Sequence, residues 1–247
     1  MNNTIKAMAA IVLMLVFAVS CHKPEEPNNG GNNGGQNDSI VDHNDTLNGH
    51  DYVDLGLPSG TLWAICNFGA DAPEDFGDYF AWGETLPKEL YDWKSYKYGN
   101  FVNERYELNK YCSDSVYGLN GFVDNLTLLE PDDDVARALW GSDWRMPTRD
   151  EWEELFLNTT NTITTQNGVN GCLLTASNGN SLFLPASGYW WGSEFNGAGI
   201  GIYWSSTVNT EFPYRSWGFH INPDSSHVCG SSDRNRGQSV RAVCSVR

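Results

Sequence analysis

All ten tryptophans of this 247-residue chain fall between Trp63 and Trp217, and none lies in the first fifty residues. Whatever core the chain builds must therefore lie downstream of about residue 50. Charged residues make up only 19% of the chain while aromatic residues reach 13%, so its polar part is mostly Asn, Ser, Thr and Gly. That composition favours short strands and turns over a helical bundle. The formal net charge of −16 excludes a phosphate-backbone partner, which requires a basic footprint, so no nucleic acid is expected.

The first residues give an address. A short basic start, Met1 to Lys6, precedes an apolar run from Ala7 to Val19. The run is shorter than the roughly 18–20 residues needed to span a bilayer, and fits a secretory signal instead. It ends in Phe17-Ala18-Val19-Ser20-Cys21, which resembles the bacterial lipobox, whose cysteine is acylated and becomes the first residue of the mature protein. An ordinary signal followed by an incidental cysteine is the alternative. His22-Lys23-Pro24-Glu25-Glu26 is similar to the charged stretch that marks surface export in lipoproteins of the Bacteroides type. The expectation is a signal peptide over 1–21, lipidation at Cys21, and an outer-membrane protein facing the cell surface. Residues 22–50, with Asn28-Asn29-Gly30-Gly31-Asn32-Asn33-Gly34-Gly35, read as a flexible tether with a reach of roughly 30 Å.

Residues 51–247 read as one domain. Tyr52 to Leu57 and Thr61 to Cys66 flank a Pro58-Ser59-Gly60 turn, a hairpin pattern. Val135, Ala138 and Leu139 have helical spacing behind Asp132, Asp133 and Asp134, which suit a helix start. Thr148 and Glu151 form a capping box ahead of a stripe of Trp152, Leu155 and Phe156. Asn178-Gly179 joins Cys172–Ser177 to Asn180–Leu184 as a primed turn. Further strands run over Tyr203–Thr207, Trp217–Ile221 and Ser239–Cys244, with Trp217, Phe219 and Ile221 sharing a face. The class is α+β: strand-rich, with two short helices and long polar loops.

Several motifs carry a resemblance. Tyr52-Val53-Asp54-Leu55-Gly56-Leu57-Pro58-Ser59-Gly60-Thr61-Leu62-Trp63-Ala64, Gly77-Asp78-Tyr79-Phe80-Ala81-Trp82-Gly83-Glu84, Trp144-Arg145-Met146-Pro147-Thr148 with Glu151-Trp152, Tyr203-Trp204-Ser205-Ser206 and Gly237-Gln238-Ser239-Val240-Arg241 occur in order across the domain. Together they resemble the Fibrobacter succinogenes major paralogous domain family of surface lipoproteins. More distantly, Arg145 to Thr148 with Glu151-Trp152 is similar to formylglycine-generating enzymes. Both resemblances imply a C-type-lectin-like fold whose terminal strands pair, placing Tyr52–Cys66 near Ser239–Cys244. Some relatives resemble retroelement-diversified ligand-binding proteins, which implies a variable ligand surface between Val208 and Asn235.

The chemistry of the residues narrows the function. The formylglycine route needs closely spaced cysteines near the C-terminus, whereas Cys229 and Cys244 lie far apart on different elements. His220, His227 and Cys229 match no established zinc spacing, and the acidic run from Glu130 to Asp134 lacks the alternation of a calcium loop. Gly197-Ala198-Gly199-Ile200-Gly201 precedes a strand, not the helix N-terminus that a phosphate loop needs. No cofactor is expected. Beyond Cys21 the chain holds Cys66, Cys112, Cys172, Cys229 and Cys244, an odd set that leaves one thiol over even with two bridges. A Cys66–Cys244 bridge and wholly reduced, buried cysteines are both open.

Tyr and Trp among Gly, Ser and Asn form a composition suited to binding, since they offer large contact area at low entropic cost. The candidate ligand-binding set is Trp190, Trp191, Tyr203, Tyr214, Arg215, His220, Asn222, Asp224, His227, Asp233, Arg234 and Asn235. Tyr214, Arg215, His220, Asn222, Asp224, His227, Asp233, Arg234 and Asn235 are expected to be exposed, and Trp204 and Trp217 to lie in the core. The leading function is a non-catalytic, lipid-anchored recognition module binding a protein or glycan. A structural envelope or fimbria-associated lipoprotein is the second reading, and a degenerate formylglycine-type oxidase the third.

Overall fold

Thr148 stops the extended chain and starts a helix, and the rest of the domain packs around the element it begins. The computed structural model describes residues 45–197, 199–222 and 227–245. The expected signal 1–21, the lipidation site Cys21 and most of the tether lie outside these residues. Strands β1 (Asp45–Leu47), β2 (His50–Val53), β3 (Leu62–Ala64), β4 (Tyr79–Phe80), β5 (Gly99–Val102) and β6 (Arg105–Leu108) come first. Helix α1 (Val135–Trp140), β7 (Trp144–Arg145) and helix α2 (Arg149–Leu157) follow. The chain then runs through β8 (Thr159–Gln166), β9 (Val169–Ala176), β10 (Ser181–Pro185), β11 (Tyr189–Trp191) and β12 (Glu194–Asn196). It closes with β13 (Gly201–Val208), β14 (Arg215–Ile221), β15 (His227–Asp233), β16 (Gln238–Ser239) and β17 (Val243–Cys244). This is a strand-rich α+β architecture.

One sheet has the order β1-β2-β3-β17-β7 and another β15-β14-β13-β16-β4, with a β10-β9-β8 layer and the hairpins β5-β6 and β11-β12 beside them. The terminal strands pair as expected, Val243 opposite Trp63 and Cys244 opposite Leu62. The folded unit reaches back to Asp45, since β1 pairs with β2 from Asp45 opposite Tyr52, so the tether cannot extend to residue 50.

In α2, Thr148 Oγ1 accepts from the Glu151 amide at 3.2 Å while Glu151 Oε2 accepts from the Thr148 amide at 2.8 Å. The same carboxylate is held by Arg145 on β7, which locks helix to sheet. Burial pushes the Glu151 carboxyl up, but the Arg145 guanidinium and the Thr148 donors outweigh it and hold the group below its ordinary value. Trp152 and Leu155 are fully buried, with Trp152 stacked on Phe219 at 5.0 Å. Each such side chain stabilises the fold by roughly 1.5–3 kcal/mol through area removed from water. Helix α1 departs from its expected stripe: Val135 and Ala136 are buried, while Leu139 is exposed. With six residues the helix makes under two turns, and its orientation is set by its cap. Asp134 accepts there from the Ala136 and Arg137 amides and from the Met146 amide of the next strand.

The expected primed turn at Asn178-Gly179 is a three-residue loop instead. Ala176 pairs with Asn180, and only Gly179 is left-handed, at φ +91°. The two-residue primed turn occurs at Asn167-Gly168, between β8 and β9, with φ of +47° and +85°. All five described cysteines are thiols, with Cys66, Cys112, Cys172 and Cys244 buried. The Cys66–Cys244 bridge is therefore not made.

Short strands leave many carbonyls outside any ladder, and buried side-chain donors meet them. The indole N–H of Trp82 donates to the Ser205 carbonyl at 2.8 Å, that of Trp204 to Phe80 at 2.8 Å, and that of Trp144 to Leu47 at 3.1 Å. Arg241, fully buried, donates to the carbonyls of Ala64, Ile65 and Phe183 at 3.1, 2.5 and 3.1 Å and to Asn67 Oδ1 at 2.9 Å. One guanidinium thus ties the end of the chain to the segment after β3 and to β10. Arg241→Met should lower stability by about 3–5 kcal/mol, because it strands buried acceptors. Arg215→Met, at a half-exposed pair, should cost about 1 kcal/mol or less. Equilibrium urea unfolding of the two variants compares them directly.

Candidate functional site

The expected ligand-binding residues do not converge on one loop surface. Three of them are buried. Tyr203 lies inside the core on β13, its hydroxyl donating to the Pro185 carbonyl at 2.6 Å. Arg234 is fully buried, its guanidinium over Trp82 at 5.0 Å and donating to the carbonyls of Lys110 and Tyr111. Asn235 is buried and donates to the Tyr91 carbonyl at 3.1 Å. Tyr203 is buried because β13 is a central strand of its sheet, whereas Arg234 and Asn235 are buried because after β15 the chain dives back under the sheet, where polar side chains satisfy irregular backbone instead of facing water.

Tyr214 stacks on Tyr106 of the β5-β6 hairpin, with centroids 4.0 Å apart and planes 8° from parallel. Arg215 and Asp233 face each other across β14 and β15 and form an ion pair at 3.3 Å. Tyr214 thus packs the hairpin against the sheet, while Arg215 and Asp233 are paired within the sheet. Asn222 is half-buried at the end of β14. His227 lies on β15 with its side chain not described, and Asp224 lies outside the described residues. His220 is half-buried, and its row on β14 is one residue out of step with that of Cys229. The two therefore point to opposite faces, and a shared metal is geometrically ruled out for this pair. Of the two residues expected in the core, Trp204 is buried, while Trp217 is half-buried under the Arg149 guanidinium at 4.2 Å.

Trp190 and Trp191 belong to the site the structure does assemble. In the β11-β12 hairpin Tyr189 faces Asn196, Trp190 faces Phe195 and Trp191 faces Glu194. Alternation sends Trp190 inward against Tyr79 and Phe195, and leaves Trp191 58% exposed. Tyr189 and Trp191 share a face, and the Arg236 guanidinium lies against both rings, 5.3 and 5.4 Å from their centroids. Among the described residues the Arg236 side chain makes no hydrogen bond or ion pair, and its Nε is shielded from water without a partner. Tyr189, Phe195 and Arg236 are absent from the sequence-derived set. The Tyr189-Trp190-Trp191-Gly192-Ser193-Glu194-Phe195 alternation around Gly-Ser was a readable hairpin signal.

Backbone bonds hold this hairpin rigidly. Trp190 and Gly237 exchange two hydrogen bonds, at 2.8 and 3.0 Å, and Tyr91 and Gly192 exchange two more, at 2.8 and 2.9 Å. Gly237 is required for that approach, since a Cβ there would stand 2.7 Å from the Tyr91 ring. The result is an aromatic surface built on strands with one cation against it, which suits ligand stacking.

Burial lowers the His220 imidazole to about 4, and the nearby guanidiniums of Arg215 and Arg236 push the same way. The unfolded chain titrates near 6.5, so the stability His220 contributes is complete above pH 6.5 and is lost as pH falls toward 4. His50, also lowered by burial, acts with the same sign. His220→Gln should flatten the fall in unfolding midpoint between pH 7 and pH 4. An unchanged pH slope would show that His220 is solvated.

No protein-family model, curated protein or solved structure matches this chain.

Proposed function

We propose that the protein is a lipid-anchored recognition module of the bacterial outer membrane. In this reading its C-type-lectin-like domain binds a surface ligand, without catalysis, through the β11-β12 platform. The observation that carries the reading is Trp191: a large ring more than half exposed, on strands fixed by backbone bonds on both sides of it. Large aromatics held rigidly in the open are the anchors by which recognition surfaces gain affinity at low entropic cost. The pairing of an early strand with the last, β3 with β17, and the helix capped at Thr148 support the lectin-like reading. The proposed site moves from the segment between Val208 and Asn235 to Tyr189, Trp191 and Arg236, which meet on one face of the hairpin.

A second reading has its own observation. Val116, Leu119, Phe122 and Val123 are exposed at 67, 40, 37 and 47%, as are Phe101 and Val102 on the β5-β6 hairpin at 42 and 38%. Such an apolar surface suits packing against an envelope or fimbrial subunit.

Screening the full chain on glycan and protein arrays separates the two. The recognition reading expects a binder whose affinity drops at least about tenfold in Trp191→Ala, the loss typical of an interface anchor. The melting temperature should stay unchanged. A stable envelope complex lost in Val116→Asp and retained in Trp191→Ala would favour the structural role.

A further inference from the structure

We propose that the β11-β12 platform takes an acidic saccharide, with a sugar ring stacked on Trp191 and its carboxylate or sulfate held by Arg236. This rests on the recognition reading above. The chain carries 31 acidic against 15 basic side chains, so a basic group near this surface would ordinarily find a carboxylate. Its neighbours do: Arg215 pairs with Asp233, and Lys88 with Glu84. Arg236 does not. It lies against Tyr189 and Trp191, its Nε shielded and unpartnered.

Among the described residues no protein acceptor or carboxylate engages the Arg236 guanidinium, so its fork is not committed within the fold. The guanidinium fork matches the paired oxygens of a carboxylate or a sulfate, and it lies 5.3 and 5.4 Å from the Tyr189 and Trp191 ring centroids. Glu194, exposed and opposite Trp191 in the ladder, is an acceptor for hydroxyl groups and repels an anion placed on its side. The two charges therefore orient the ligand, acid toward Arg236 and hydroxyls toward Glu194. Asn196, opposite Tyr189, adds a neutral hydrogen-bonding group.

A peptide fits this surface less well. An extended peptide gains affinity by continuing a strand ladder. The outer edge of β11 is already taken by Gly237 and Tyr91. The Trp191 side chain, more than half exposed, offers a ring that suits the flat C–H face of a pyranose.

The test is calorimetry on the full chain with four probes: oligogalacturonate, a sulfated galactose oligomer, a neutral galactose oligomer of the same length, and poly-glutamate. At least one acidic sugar should bind about tenfold or more tightly than the neutral one, with an affinity that falls as salt rises. Arg236→Gln should reduce that affinity to the neutral level, and Arg236→Lys should restore only part of it. Comparison of the uronate with the sulfate tells which anion the fork accepts. Acidic and neutral sugars bound equally by both wild type and Arg236→Gln would overturn the acidic assignment while leaving recognition intact. Poly-glutamate bound as tightly as the sugars would overturn the saccharide, as would no binding of either acidic sugar. An unaffected Trp191→Ala would instead remove the platform from recognition altogether. Thermal melting of each variant shows whether a lost affinity reflects a lost fold.

Discussion

The hydrogen bonds from buried side-chain donors to loose backbone carbonyls are the constraint on which this domain depends. Its strands are mostly two to eight residues long, and between them the chain crosses the interior without a ladder. Each buried carbonyl on such a crossing must find a donor or cost free energy. Arg241 meets three buried carbonyls from the middle of the core, those of Ala64 at the end of β3, Ile65 just after it and Phe183 on β10, and Arg234 meets two more on the crossing at Lys110 and Tyr111. Indole N–H groups do the same for Leu47, Phe80 and Ser205. A core rich in Trp and Arg is thus a consequence of an irregular backbone, where a regular sheet would be filled by aliphatic residues.

Buried acids complete the frame from the acceptor side. Asp133 is buried and accepts from Tyr98, Tyr111, Lys97 and Lys110. Burial alone would push its carboxyl up, but these four donors hold it below the ordinary value. Asp134 next to it caps α1 and holds the Met146 amide. The run from Glu130 to Asp134 therefore joins the segment around Tyr98–Tyr111 to the first helix, a role beyond helix-start charge. With the interior fixed in this way, the β11-β12 hairpin is clamped between Gly237 and Tyr91 and can present Trp191 outward without a loop of its own.

Local signals were the legible part of the sequence. The capping box at Thr148, the hairpin after Tyr52 and the alternation of Trp217, Phe219 and Ile221 each depend on residues close together in the chain, and all three recur in the structure. Strand β8 was missed. Its Thr-rich run has high β-propensity, but its partly exposed pattern hides the alternation by which a strand is read. Asn167-Gly168 was the marker of its turn. The site failed for a different reason. Arg234, Asn235 and Arg236 are consecutive polar residues of a kind that ordinarily faces water. Only the return of the chain beneath the sheet decides that the first two satisfy carbonyls while the third meets two rings. That path is long-range information, and no spacing along the chain carries it.

Hydrogen exchange at the tryptophan indoles tests this account most directly, because it reads the buried donors and the open platform in one experiment. With indole nitrogens labelled, the N–H signals of Trp82, Trp144 and Trp204 should persist long after transfer to heavy water, and that of Trp191 should vanish at once. Uniformly rapid exchange of all four would contradict a core held by indole donors, and a protected Trp191 would contradict the open platform.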